Sequence, residues 1–214
     1  QANLSEAGLE SVDLSEANFE DATLKGAYLV GAKIDKAKFL STDLTDANLS
    51  LASLQGADFH SAILKNALLI ESDLSWASFD DAIVEKVIFA GAILREARLA
   101  NADIARTDLS HCDLRGADLT GTKADRSSFY KANLEGIKAS DSSMEFADFR
   151  LTKLGKAVLT RASLVGADTD EAEFDGADLT EADLFWTTLT PSQLHNCKTE
   201  HARFPEKTVV AYGP

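Results

Sequence analysis

A chain of 214 residues with 35 acidic against 21 basic side chains, net −14, argues against direct binding to nucleic acid or an anionic membrane surface, since both need basic patches. Its apolar share of 45% comes mostly from Ala and Leu, with aromatics at only 7%, so its core must be narrow. Two cysteines, Cys112 and Cys197, provide neither a disulfide framework nor a metal-ligand spacing, and no apolar stretch approaches a membrane span.

A repeat starts within the first residues. Every fifth position from Leu4 to Phe204 gives 41 sites, and 33 of them are Leu or Phe. Two residues earlier, from Ala2 to Ala202, Ala stands 27 times; Ile137 is the one bulky exception. Period 5 fits neither the helix period of 3.6 nor the strand period of 2. It calls for a backbone that turns a corner every five residues, with the large centre and the small residue before it pointing inward. Four such sides make a coil of 20 residues, and Phe19, Phe39, Phe59 and Phe79 do share one slot in four successive coils, which predicts a stacked aromatic column. Nine of the 12 glycines, from Gly26 to Gly176, fall two residues after a centre, where a type II turn needs φ > 0. No Pro precedes Pro191, as expected where backbone N–H groups donate to a neighbouring coil. The predicted fold is an all-β solenoid, a quadrilateral β-helix of about ten 20-residue coils whose sides stack at roughly 4.8 Å.

Further along the chain, the outward slots become informative. Residues 1–24 carry six acids and no base, and residues 168–183 carry eight acids and no base, while residues 25–166 are nearly neutral. Acidic ends suit solubility and repulsion between rods, with docking of a basic partner as the other reading. Ile63, Leu68, Ile83, Ile88 and Ile93 stand in the outward slot just before the centre. Tyr28, Val30, Ile70 and Ala90 share the side of Leu68 and Ile88, which predicts one apolar patch over two adjacent sides of coils 2 to 5. Such a patch marks a partner or dimer surface; the rival reading is that β-branched residues simply suit exposed strand faces. A second cluster, Phe146, Val165, Phe185 and Trp186, lies on one side near the C-terminus and reads as packing for the C-terminal segment, or as a dimer contact. The centres Ala124, Ala139 and Thr169 are small, so the core is expected to be looser there, with Ile137 and Met144 refilling part of the volume.

Thr190-Pro191-Ser192-Gln193 reads as a helix start, with Thr190 as N-cap and Gln193 closing a capping box. A short helix over about 191–197 should cover the last coil, followed by an irregular or extended tail. The predicted organisation is therefore a β-helix over 1–190 and a cap over 191–214.

The units Ala17-Asn18-Phe19, Ala47-Asn48-Leu49, Ala57-Asp58-Phe59, Ala117-Asp118-Leu119, Ala177-Asp178-Leu179 and Ala182-Asp183-Leu184 resemble the pentapeptide-repeat family, over residues 1 to about 190. The resemblance implies a right-handed β-helix. It says little of activity, because members share a shape rather than a chemistry. It also implies one specific alternative: some relatives, of the quinolone-resistance type, mimic B-DNA and occupy the DNA site of a type II topoisomerase such as gyrase.

Catalytic signatures do not emerge. His60, His111, His195 and His201 fall on different coils or sides and form no ligand set. Asp103, Asp108, Asp113 and Asp118 run around one coil, one per side, and cannot converge as an acid–base pair or calcium cage. The reading is a non-catalytic scaffold without cofactor or metal, binding a protein partner, with a homodimer as a candidate and no membrane span. Cytoplasm is the expected compartment, or periplasm or thylakoid lumen if a signal was removed upstream of Gln1.

Overall fold

The computed structural model describes residues 2–205. In each regular five-residue unit between the first coil and the break near Thr169, four of the five backbone N–H groups have a backbone partner. The centre donates to the next coil (Leu4 N to Thr23 O, 2.8 Å), and so does the corner residue (Glu6 N to Lys25 O, 2.8 Å). The residue before the centre donates to the previous coil (Thr23 N to Ala2 O, 3.0 Å), and the small inward residue closes the turn (Ala7 N to Leu4 O, 3.1 Å). Bridges run in parallel between residues 20 apart, in steps of five from Asn3–Thr23 to Ser163–Asp183. A ladder that returns after 20 residues and is met every five has four faces. They are numbered here by their first rungs: face 1 from Asn3, face 2 from Gly8, face 3 from Asp13 and face 4 from Asn18.

The fifth N–H, just after the centre, explains why Asp and Asn favour the outward slot before it. Their side chains accept that N–H two residues on, as in Asn48 to Ser50 (3.0 Å) and Asp108 to Ser110 (2.9 Å). Where the slot holds Ser or Arg, an Asp of the preceding coil can reach across instead: Asp35 to Gln55 N, Asp80 to Ala100 N and Asp125 to Glu145 N, at 3.1, 3.1 and 2.9 Å.

Glycine corners are only part of the turn chemistry. Thirty non-glycine residues also sit at φ between 52° and 62°, Leu51, Trp76 and Phe146 among them. Left-handed geometry costs an L-residue about 1–2 kcal/mol. Here the corner N–H is already committed to the next coil, and the rigid ladder holds the conformation against that cost.

The core is as narrow as its Ala content requires. Centres and their companions are almost all fully buried from Ala22 to Leu184. Phe19, Phe39, Phe59 and Phe79 form the expected column, with ring centroids 5.1, 4.7 and 4.7 Å apart and planes within 11°. These distances match the strand spacing, so one ring fits per coil. The small centres are buried too, and at Ala139 the usual order is inverted, with the bulk supplied by buried Ile137 two residues earlier.

The ladder breaks once among the described residues. Pro191 occupies a corner, and its ring forbids the positive φ found at every other corner from Glu6 to His201. The helix expected over 191–197 amounts to one 3-10 turn, Pro191–Leu194. The rungs that Asp168 and Glu173 would make to the last coil are missing there. Side chains take over their role: Thr169 N donates to Thr188 Oγ1 (2.8 Å), and Gln193 Nε2 donates to the Thr169 and Ala172 carbonyls (2.7 and 2.9 Å). Thr190 N donates to Gln193 Oε1 at 2.9 Å, the backward arm of a capping box. Of the two forms expected for the segment that follows, the described part takes the extended one and rejoins the ladder, with Lys198 paired to Asp178 and Arg203 to Asp183. The remainder of the expected tail, 206–214, lies outside the described residues.

Candidate interaction surface

Face 2 gathers most of the predicted patch. Tyr28, Asn48, Leu68, Ile88 and Asp108 follow one another as consecutive rungs. Tyr28 is 51% exposed; Leu68 and Ile88 are half-buried, as are Val30, Ile70 and Ala90 in the neighbouring slot after the centre. Ile63 and Ile83 are bridged to each other on face 1, beyond the corner that carries Asn66 and Lys86. Ile93 stands apart. Its rungs to Asp73 and Asp113 place it on face 3, so the eight residues spread over three faces rather than two.

The apolar slots carry a backbone consequence. Leu68 and Ile88 cannot accept a hydrogen bond, and among the described residues the N–H groups of Ile70 and Ala90 have no such partner. Elsewhere on the same face Asn48 and Asp108 do provide one. Leu51, at the corner between faces 2 and 3 and 58% exposed, extends the patch. In the sequence, Leu51 stands at a corner where glycine is the residue the turn calls for, and an apolar corner beside Val30 and Ile70 is the signal that marks it. Trp76, also 58% exposed, lies on a different corner, with Gly56 and Glu96 next along it.

The second cluster is brought together along the corner between faces 1 and 2. The Phe146 ring lies over Gly166 and beneath the Arg126 guanidinium, 5.5 Å from its centroid. Phe185 packs between Trp186 (4.9 Å) and the guanidinium of Arg203 (4.2 Å), so the rejoined C-terminal strand does contact it. Trp186 nevertheless remains 68% exposed.

Charge is arranged unevenly. In the middle of the rod many carboxylates are paired: Asp113 with Arg95 (2.7 Å) and Arg115 (2.8 Å), Asp148 with Arg150 (2.8 Å), Asp141 with Arg161 (2.7 Å). The Arg115 side chain holds the Asp113 carboxyl at about 2, against a partial burial that pushes the other way. Arg150 and Arg161 likewise lower Asp148 and Asp141. Along the corner between faces 1 and 2, the side chains run Glu6, Gly26, Asp46, Asn66, Lys86, Arg106, Arg126, from acidic to basic.

The residues considered for chemistry remain dispersed. The rungs place Asp103, Asp108, Asp113 and Asp118 on four different faces. No group of three or more potential metal ligands occurs among the described residues. Burial pushes the Cys112 thiol up to about 12, and its Sγ donates to Phe89 O at 3.1 Å. Cys112 is therefore no nucleophile. The surface depressions are open; one, of about 560 Å³, runs over Gly116 and Gly136 between Arg98, Arg115 and Lys138. No helix among the described residues is long and apolar enough to cross a membrane.

A family model described as pentapeptide repeat region matches residues 2–79, and a second, pentapeptide repeats, matches 64–95, 72–110, 86–121, 104–138 and 152–190. Among solved structures, HetL, a pentapeptide repeat protein involved in heterocyst differentiation regulation from the cyanobacterium Nostoc sp., is 26% identical over 94% of this chain and 86% of its own, with a TM-score of 0.75. A pentapeptide repeat protein of the Arabidopsis thaliana thylakoid lumen is 32% identical over 48% of this chain and 72% of its own, with a TM-score of 0.47. Full-length QnrB1, a plasmid-mediated fluoroquinolone resistance protein, is 19% identical over 96% and 92%, with a TM-score of 0.37. No curated protein sequence matches.

Proposed function

This chain belongs to the pentapeptide-repeat family, and we propose that it is a non-catalytic scaffold that binds a macromolecular partner through the flat side built on Leu68 and Ile88. One observation carries the reading. On face 2 the residues that would otherwise close a backbone N–H are replaced by half-exposed apolar side chains on consecutive rungs. That exchange leaves a polar group open and an apolar surface wet, which is sensible where a partner covers both. Scattered charges on four separate faces and an inert buried thiol support the absence of catalysis. A role in regulation, as described for the Nostoc relative, also suits binding rather than turnover.

In this reading the scaffold is a right-handed coil of about ten turns over 1–190, followed by a C-terminal cap of which 191–205 are described. The ladder break at Pro191 supports that boundary, and the return of the register at Lys198 makes the cap a partial coil in its own right. The rival reading, a B-DNA mimic acting on gyrase, draws on the rod shape and the net charge of −14. Mimicry needs columns of unpaired carboxylates, and the ion pairs of Asp113, Asp141 and Asp148 weaken them along the middle of the rod.

Leu68→Asp together with Ile88→Asp tests the docking surface. Association, followed by light scattering and by pull-down from the native host, is expected to disappear while the melting temperature stays within about 5 °C of the parent. Association unchanged by the double substitution would remove face 2 from the account, and inhibition of gyrase supercoiling by the unmodified chain would favour the rival.

A further inference from the structure

Resting on the reading of face 2 as a docking surface, we propose that its occupant is a second copy of this chain, laid face 2 to face 2 and antiparallel.

The argument is one of self-complementarity. Two rods in face-to-face contact related by a two-fold axis across their length present each column to the same column of the partner in reversed order. Place that axis between the rungs of Leu68 and Ile88. Leu68 then meets Ile88 of the other copy and Ile70 meets Ala90, so the apolar centre is covered by itself. Further out Val30 faces Tyr130. At the rims the charges become complementary: Glu10 faces Arg150, and Asp46 on the corner between faces 1 and 2 faces Arg106. Across the eight rungs from Gly8 to Asp148, with their two flanking corners, this register opposes no two like charges. The acidic first coil of each copy is brought to the arginine-bearing stretch of the other.

A parallel arrangement has no such property. It would bring the corner residues Arg126 and Lys131 of opposite copies together, and likewise Asp168 and Asp170. The two charge gradients would also run side by side. Like-charge contact across an interface is costly and selects against that arrangement.

Eight coils at about 4.8 Å make a strip about 38 Å long and only one face wide. That is small for a protein interface, so the dimer should be reversible and depend on protein concentration. The N–H groups of Ile70 and Ala90, which have no partner among the described residues, lie in its middle; shielding them from water beneath an apolar face is a cost that keeps the dimer weak.

Sedimentation equilibrium between about 1 and 100 micromolar tests this, using the intact chain and two single variants, Glu10→Arg and Arg150→Glu. Glu10 has no ion-pair partner within its own chain among the described residues, whereas Arg150 pairs there with Asp148 and Asp168, so recovery on mixing rather than either variant alone carries the test. The intact chain is expected to dimerise. Each variant alone should dimerise at least about tenfold more weakly, because like charges then meet at both rims. An equimolar mixture of the two should recover a heterodimer, because each rim again joins opposite charges. The two substituted positions face each other at one rim, and unsubstituted Glu10 faces unsubstituted Arg150 at the other. A merely local effect of either substitution would not be rescued by mixing. An intact chain that stays monomeric overturns the second copy as occupant, while the docking surface stands or falls on the Leu68→Asp, Ile88→Asp pull-down. A dimer indifferent to both charge reversals, or variants that stay weak when mixed, also overturns it.

Discussion

The ring of Phe146 lies across Gly166 so closely that a Cβ on the glycine would stand 2.6 Å from two ring carbons. Its φ of +68° favours glycine, although thirty other corners hold positive φ without it; the absence of a side chain is what the Phe146 ring requires. Gly166→Ala is expected to cost about 2–3 kcal/mol in urea denaturation, combining left-handed strain with displacement of the ring. Gly136 has a similar φ of +70° but nothing within 4 Å, so Gly136→Ala should cost only about 1 kcal/mol. Adding Phe146→Ala to Gly166→Ala should bring its cost down to the same level.

Gln193 holds the broken end of the ladder through its two bonds to the Thr169 and Ala172 carbonyls. Gln193→Ala leaves both carbonyls without that donor. Hydrogen exchange is expected to accelerate at the rungs around the break, from about Thr169 to Leu189, while the coils before residue 150 keep their protection. Uniform acceleration along the rod would mean the side chain does something other than cap this gap.

The arginine-paired carboxylates predict how the fold responds to acid. Asp113, Asp141 and Asp148 are all lowered, so the folded state holds their protons less tightly than the unfolded chain does. Their stabilisation is complete above the ordinary carboxylate range near 3.9 and fades as the pH falls toward the folded value, about 2 for Asp113. Melting temperature should thus drop between about pH 4 and pH 2, and Asp113→Asn should flatten that drop.

The two thiols should separate cleanly in their reactivity. Cys112 is buried with its thiol pushed up to about 12, whereas Cys197 is only partly buried, with its thiol raised less by the same cause. Disulfide-exchange reagents are expected to modify Cys197 in the native protein and to reach Cys112 only after unfolding.

Most of the architecture was legible because each inward residue announces itself. A frame that puts Leu or Phe at the centre and Ala two places before it can close in only one way, and Phe19 through Phe79 gave both the coil length and the ring column. Pro191 was legible as a helix start but carried a stronger signal. It occupies a corner that proline cannot turn, and that alone locates the break. The thirty non-glycine corners were hidden, since local propensity gives no reason for Trp76 or Leu51 to adopt positive φ. They follow from the ladder, a long-range effect. For the same reason Ile93 was grouped with Leu68 and Ile88 on slot identity, although its rungs lie on face 3. What the patch binds is not written in one chain's hydropathy, and only the charge sequence from Glu6 to Arg126 points toward a second copy.

The Ile70 and Ala90 amides offer the most direct test, because they lack a partner among the described residues and sit in the middle of face 2. Their exchange should be fast in dilute protein and slow markedly under associating conditions, while that of Glu20 and His60 on face 4, held by Asn18 and Asp58, stays unchanged. Residue-resolved NMR exchange can follow all four. If Ile70 and Ala90 exchange equally fast in the associated state, or if the new protection falls on face 4, face 2 is not the surface through which this rod binds.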